Sequence, residues 1–191
     1  MSGHDSKDSR AQGIVKKKKK LPMKIYLSGD AFMHLLLSGA EVFKKESLGY
    51  LLGYRLEDRF IIEHAFSLQT AKRKRRGVIF RQRDHKKIEP ILAKFEKLQI
   101  IGDFHSHTQY GEARGLSIPS KLDIEGMEPN NLYIIIAINE IQKGKAWREN
   151  KDGSLSGSIG DFFFKISAYF YSDKDANPVK ARIYCPFPPG F

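Results

Sequence analysis

The sequence predicts an α/β fold, a sandwich in which helices flank a mixed and mostly antiparallel sheet. Segments with apolar residues at helical spacing alternate with short runs rich in β-branched and aromatic residues, and polar turns join some of these runs as in hairpins. The chain has 191 residues, of which 41% are hydrophobic and 12% aromatic. These values are sufficient for one domain with a buried core.

The first half of the chain predicts two helices and three strands. Apolar side chains recur at helical spacing after Asp30, the expected N-cap, and predict the first helix. Leu48–Tyr54 and Arg59–Ser67 flank a polar turn and predict a hairpin. Val78–Gln82 predicts a short strand, and Asp84–Lys97 predicts a helix whose apolar face packs on the sheet.

The second half predicts four strands and one short helix. Ile100–Phe104 is an apolar strand that runs into a histidine, and Pro119–Met127 predicts a helix after a glycine-containing loop. Leu132–Ile138 is an almost unbroken apolar run, which is typical of a strand buried on both faces. Ser158–Tyr171 predicts one long strand, and Val179–Tyr184 predicts another.

The formal net charge of +11 is concentrated in two segments. Residues 1–20 carry seven basic and two acidic side chains, and residues 72–87 carry nine basic side chains and one acidic. Residues 1–22, which include the run Lys16–Lys20, predict a flexible basic tail. Lys72–Arg76 predicts a surface loop that binds an acidic partner, either protein or nucleic acid.

The composition also excludes several kinds of protein. The single cysteine, Cys185, excludes an intramolecular disulfide and a zinc site built from several thiolates, so a metal would need histidine and carboxylate ligands. With no evident base partner, Cys185 is expected to be a packing residue. No apolar run is long enough to span a membrane, which predicts a cytoplasmic protein. The domain is expected over residues 23–185, followed by a proline-rich tail over 186–191.

The strongest chemical signal is the segment His105-Ser106-His107. Residues two apart on an extended segment point to the same side, so both imidazoles can bind one ion. Catalytic zinc typically has three protein ligands, and Asp123, on the helix that follows, is the natural third ligand. Ser120 precedes Asp123 by three residues, a spacing that also fits a helix capping box.

With Glu46, which precedes a glycine-containing strand, these residues form a pattern that resembles the JAMM (MPN-type) metalloprotease family: Glu-x-x-Gly, then His-x-His, then Ser-x-x-Asp. The resemblance implies an MPN fold of the cytidine-deaminase-like type. It also implies Zn²⁺ bound by His105, His107 and Asp123. Glu46 would then act as the general base and acid, and Ser120 as the hydrogen-bond donor to the oxyanion.

One departure from the family pattern concerns the loop before the serine. The family commonly has about seven residues between the second histidine and the serine, whereas about twelve separate His107 from Ser120, and Thr108 replaces the usual proline. A longer loop that contains glycines can return the helix to the same place at a small entropic cost. Ser117 lies in the same loop and is the alternative oxyanion donor.

The function implied by the resemblance is a zinc-dependent isopeptidase that removes a ubiquitin-like protein or hydrolyses its C-terminal glycyl bond. A non-catalytic MPN scaffold is one alternative, although such modules generally lack the metal ligands. A basic nucleic-acid-binding module is another, and it would use Lys16–Lys20 and Lys72–Arg76. These segments lack interleaved aromatic residues that stack on bases, so weak and salt-sensitive binding is expected at most.

Overall fold

A computed structural model describes residues 23–73, 78–79, 82–95, 97–172 and 177–187. The helices in these ranges are α1 (Gly29–Glu41), α2 (Gln82–Leu92) and α3 (Lys121–Gly126). The strands are β1 (Lys24–Leu27), β2 (Leu48–Arg55), β3 (Arg59–Ser67), β4 (Lys72–Arg73), β5 (Val78–Ile79), β6 (Gln99–Thr108), β7 (Asn131–Glu140), β8 (Arg148–Glu149), β9 (Leu155–Ile159), β10 (Phe162–Tyr171) and β11 (Val179–Tyr184). The predicted N-terminal tail and the last four residues lie outside the described residues.

Seven of these strands form a closed barrel. They follow the order β11-β1-β3-β2-β6-β7-β10, and β10 pairs with β11 to close the ring. β1 is parallel to β3 and β11, and β6 is parallel to β7, whereas the other neighbours in the ring are antiparallel. The predicted α/β sandwich is therefore wrong. The sheet closes on itself instead of staying open between layers of helices, because β11 pairs with β1 along one edge and with β10 along the other.

The main hydrophobic core combines side chains from all seven barrel strands with one face of α1. Phe32 of α1 meets Trp147 edge-on, with 4.9 Å between the ring centroids. The N-cap of α1 is Ser28 rather than the predicted Asp30, because Ser28 Oγ accepts a hydrogen bond from the backbone N of Ala31. Asp30 lies in the first turn, where a negative charge stabilises the helix dipole.

A smaller apolar cluster lies on the opposite face of β2, under α2. Ile88 and Leu92 of α2 pack against it, whereas Ile91 and Phe95 are exposed, so only part of the predicted apolar face is used. The predicted strand Val78–Gln82 ends earlier than expected, because β5 is described at Val78–Ile79 and Gln82 already begins α2. The predicted hairpin before this region is confirmed as the antiparallel pair β2 and β3.

Four further strands, β6, β7, β9 and β10, bear on the predictions. β7 is buried on both faces from residue 132 to residue 139, as predicted. β6 continues beyond Phe104 through both histidines. The single strand predicted over Ser158–Tyr171 is wrong, because β9 and β10 form a hairpin. Its turn contains Gly160 with φ of 55°, a left-handed conformation that glycine adopts without steric cost.

Cys185 is buried in the main core, which agrees with its predicted packing role. Burial raises the pKa of its thiol, which disfavours the reactive thiolate. Among the described residues, no helix has both the length and the apolar character needed to cross a membrane.

Candidate metal centre

β6 presents a row of polar side chains on the face opposite the main core, because alternate residues of a strand point the same way. Asp103, His105 and His107 form this row, and Phe104 between them is fully buried in the core. β6 pairs with β2 on one side and β7 on the other. The two imidazoles therefore extend from a backbone that is held along both edges.

α3 brings Asp123 to the two imidazoles. Ser120 Oγ accepts a hydrogen bond from the backbone N of Asp123 at 3.2 Å, and Asp123 Oδ2 accepts one from the backbone N of Ser120 at 2.6 Å. The capping box suggested by the Ser-x-x-Asp spacing is thus present. Asp123 Oδ1 also lies 3.4 Å from His105 Nε2, and its Oδ2 lies 3.3 Å from His107 Nε2. The cap therefore orients the same carboxylate that faces the histidines.

The three side chains have the spacing that a tetrahedral metal ion requires. The Nε2 atoms of His105 and His107 are 3.1 Å apart, close to the two imidazole–carboxylate distances. Zinc bonds to nitrogen and oxygen of about 2.0–2.2 Å place neighbouring ligands of a tetrahedral ion roughly 3.3–3.6 Å apart. Two imidazoles and a carboxylate are also a donor set that zinc accepts. His105, His107 and Asp123 could therefore hold a metal ion, and they fit zinc.

Hydrogen bonds prepare the cluster for this role. His107 Nδ1 lies 2.7 Å from the carbonyl oxygen of Leu116 and donates its proton there, which directs Nε2 at Asp123. Burial of the His107 ring opposes its charged form, but the bonds to Asp123 and Leu116 prevail and raise its pKa. Burial likewise opposes ionisation of Asp123, yet the bonds from His105 and His107 hold the pKa of this carboxyl well below its usual range. Asp123 is therefore ionised at neutral pH.

Glu46 lies beside the cluster, just before β2. The next residue, Ser47, is tied to β6 by two hydrogen bonds: its backbone N donates to Ser106 Oγ at 2.8 Å, and its carbonyl accepts from the backbone N of Ser106 at 3.1 Å. The negative charge of Glu46 contributes to the raised pKa of His107. The structure therefore brings the predicted base close to the predicted ligands.

The long loop between His107 and Ser120 is anchored to β7. Buried Asn139 accepts a hydrogen bond from the backbone N of Gly115 at 2.8 Å and donates one to the carbonyl of Gly115 at 3.1 Å. Gly115 also packs closely on β6, where an added Cβ would lie 2.2 Å from the carbonyl oxygen of His107. The extra loop residues thus follow a defined path and return α3 to the cluster.

The loop also distinguishes the two candidate serines. Ser117 is buried, and its hydroxyl forms a hydrogen bond of 2.9 Å with the hydroxyl of Ser167. Ser120 instead precedes the helix that carries Asp123 and shares two hydrogen bonds with it. Of the two serines, Ser120 is therefore the one that lies next to the metal cluster.

Asp103 is the residue of this region that the sequence analysis missed. Its two-residue offset from His105 was the available signal, because it places both side chains on one face of β6. Burial raises the pKa of Asp103 to about 7; the charge of His105 opposes the shift, and those of Asp123 and Glu128 add to it. Asp103 lines a groove beside the cluster.

The protein is therefore a β-barrel with a candidate metal centre, in which two histidines and an aspartate have the spacing of zinc ligands. Residues 30–150 match the model of the prokaryotic homologs of the JAB domain, and the chain belongs to this family. The resemblance found in the motifs is thus confirmed. No curated protein matches the chain significantly. The solution structure of protein DSY2949 from Desulfitobacterium hafniense is similar, with a TM-score of 0.60 and 18% identity over 84% of this chain and 92% of that one. At this identity, the similarity shows a common fold.

Proposed function

We propose that this JAB-family protein is a zinc-dependent isopeptidase that releases a ubiquitin-like protein from a conjugate or fusion. The observation that carries the proposal is the convergence of His105, His107 and Asp123 at 3.1–3.4 Å, with Glu46 beside them. A purely structural module needs neither this donor set nor a neighbouring carboxylate. Both features favour catalysis over the scaffold alternative.

The two histidines and Asp123 would hold the zinc. When bound, zinc supplies Lewis-acid chemistry that lowers the pKa of a coordinated water to about 7. Glu46 accepts a proton from the attacking water and then transfers it to the leaving amine, as general base and acid. Ser120 Oγ accepts the capping bond from Asp123, and its own proton remains available for the developing oxyanion. One such donor contributes a factor of about 10²–10³ to the rate.

The surface around the cluster suits a protein substrate. Leu116, Ile118 and Leu122, on the loop and helix next to the histidines, are 60%, 60% and 76% exposed. Exposed apolar side chains that are close together are typical of protein contact surfaces. A slender glycine-ended segment in extended form would deliver its last carbonyl to the cluster along the barrel surface. These features support a ubiquitin-like protein as the substrate.

Zinc analysis combined with a cleavage assay tests the proposal. The purified chain is expected to bind about one zinc ion and to cleave at least one of several ubiquitin-like fusions, and a chelator should abolish cleavage until zinc is restored. His107→Ala should lose both zinc and cleavage. The matched control His64→Ala, which changes an exposed histidine outside the cluster, should keep both. Zinc binding without cleavage of any fusion would favour the scaffold, and a parent chain unable to bind zinc would refute the metal centre.

The acidic partner predicted for Lys72–Arg76 stays a proposal, because those side chains lie outside the described residues. The nucleic-acid alternative is tested by polynucleotide binding across salt concentrations, with and without residues 1–20. Binding that falls steeply with salt and needs these residues would support it.

A further inference from the structure

Four neighbouring strands of the barrel carry a row of outward-facing side chains, most of them tyrosines. Tyr26 of β1 is opposite Tyr184 of β11 on one side and Ile61 of β3 on the other. Ile61 is in turn opposite Tyr54 of β2, and we call these four residues the tyrosine row. On β11, β1 and β3 the flanking residues are buried in the main core, so the row faces away from it. The rings of Tyr26 and Tyr184 stack with centroids 5.3 Å apart, and Tyr26 is 38% exposed.

A second row on the same face of the barrel is basic. Arg182, Lys24 and Arg59, the basic row, are in register across the parallel strands β11, β1 and β3. Each lies two residues before the member of the tyrosine row on its strand, and therefore about 7 Å from it along the strand. Asp58 lies 2.8 Å from Arg59, and Glu149 lies 4.0 Å from Arg182. Both pairs are exposed and contribute little to stability, so the phosphates of a ligand can compete with these carboxylates.

The segment before β1 adds positive charge close to both rows. Lys20, the last residue of the run Lys16–Lys20, precedes Lys24 by four residues, which span at most about 14 Å of chain. β1 lies between β11 and β3, so the run joins the barrel at the middle of the basic row. The lysine run has no aromatic residues of its own, and the barrel surface provides them.

We propose that the tyrosine row and the basic row bind single-stranded nucleic acid. Sites of this kind combine aromatic side chains, on which bases stack, with cations that follow the phosphates. The two rows supply both groups side by side, and a base can extend the existing stack of Tyr26 and Tyr184. A second copy of this chain fits less well, because a symmetric contact would bring the two basic rows together. Membrane-surface sites typically present Trp, Phe or Leu, which the tyrosine row lacks.

The proposed activity does not depend on the isopeptidase function. The metal ligands lie on β6 and α3, outside the four strands that carry the two rows. Binding therefore needs neither zinc nor cleavage, and a chelator should leave it unchanged. Loss of one activity would leave the other intact.

Fluorescence anisotropy with a labelled oligonucleotide of about ten nucleotides tests the inference. The full chain is expected to bind single-stranded DNA or RNA about tenfold more tightly than a duplex of the same length, because paired bases cannot stack on the tyrosines. Comparison of the DNA and RNA probes shows which of the two is preferred. The affinity should also fall as the salt concentration rises. Polyglutamate of matched charge and phosphatidylserine vesicles are the competing acidic probes, and binding of either one as tightly as the single strand overturns the inference.

Aromatic substitutions test the stacking. Tyr26→Leu and Tyr184→Leu keep an apolar side chain without a ring, and each should weaken single-strand binding about tenfold. Tyr26→Phe keeps the ring and should bind as the parent chain does, which separates lost stacking from a lost fold. Tyr110→Leu, at an exposed tyrosine outside the four strands, is the matched control and should bind normally. Unchanged affinity in both leucine variants, or an equal loss in Tyr26→Phe, overturns the inference.

A charge substitution tests the basic row. Lys24→Gln should weaken binding of all single strands alike and reduce the slope of log affinity against log salt by about one. Lys121→Gln, at an exposed lysine of α3, should leave the slope unchanged. Equal slopes for Lys24→Gln and the parent chain would show that the phosphates bind elsewhere, which also overturns the inference.

Discussion

Replacing Asn139 with alanine should destabilise the protein by about 2–4 kcal/mol. The side chain is 4% exposed, and its two hydrogen bonds, of 2.8 and 3.1 Å, both join the backbone of Gly115, which is also buried. Each lost hydrogen bond costs about 0.5–1.5 kcal/mol, and a buried N–H or C=O left without a partner costs about 1–3 kcal/mol. The expected total stays below the sum of the largest values, because the loop can shift and admit water.

Urea unfolding followed by circular dichroism measures this loss. Zinc affinity, measured by competition with a chelator, should also fall by up to about tenfold, because the Leu116 carbonyl that orients His107 lies in the anchored loop. Gln109→Ala is the matched control. Its amide also ties the loop to β7, but at the surface, where water replaces the lost bonds, so its cost should stay below about 0.5 kcal/mol. An Asn139→Ala protein as stable as the Gln109→Ala protein would refute the anchoring role.

Three further substitutions probe the base, the barrel and the surface charges. Glu46→Gln should keep zinc but lower turnover by about 10²–10⁴-fold. The control Glu41→Gln, at an exposed carboxylate on α1, should keep both zinc and turnover. A Glu46→Gln protein that turns over as fast as the parent chain would reject Glu46 as the base. Gly102→Ala should lower the free energy of unfolding by about 3 kcal/mol or more, because the added Cβ would lie 1.8 Å from a carbonyl oxygen of β7. Gly126→Ala, whose added Cβ meets open space, should change it little. Thermal unfolding of both variants measures the difference. Asp152→Asn should cost about 0.5–1 kcal/mol at pH 7. Burial opposes the charge of this partly exposed carboxyl, but Lys180, the hydroxyl and backbone N of Ser154, and Lys165 together hold its pKa below its usual range. A depressed pKa stabilises the fold above the unfolded value of about 4, so the difference in unfolding free energy should shrink as the pH falls further, and a constant difference would contradict the ion pairs.

The candidate site could be predicted because the spacing of its residues in the sequence determines how their side chains are oriented relative to one another. His105 and His107 alternate on a strand, and Ser120 with Asp123 begins a helix, so each pair is oriented by local structure alone. Family resemblance then supplied the connection between the pairs and Glu46. The groove was not predictable from any motif. It depends on which strands β6 has as neighbours, and the sequence pattern of β6 does not encode them.

The closure of the barrel escaped prediction for a related reason. Alternating apolar residues indicate that a segment is a strand, but not which strands pair with it. β1 has only four residues and follows a lysine-rich segment, so its pattern is too short to stand out. The hairpin of β9 and β10 was missed because β9, with two serines and a glycine in five residues, lacks the aromatic and β-branched pattern that marks β10 as a strand. The left-handed turn there depends on one residue.

The pairing of β1 with β11 joins the two ends of the described domain at a single seam, with Ile25 opposite Ile183. Loss of β1 would expose backbone donors and acceptors on β3 and β11, and loss of β11 would expose them on β1 and β10. Such open edges recruit other chains into intermolecular sheets. A truncated product of this protein would therefore be prone to aggregate even if residues 48–140, which carry every member of the metal cluster, were intact.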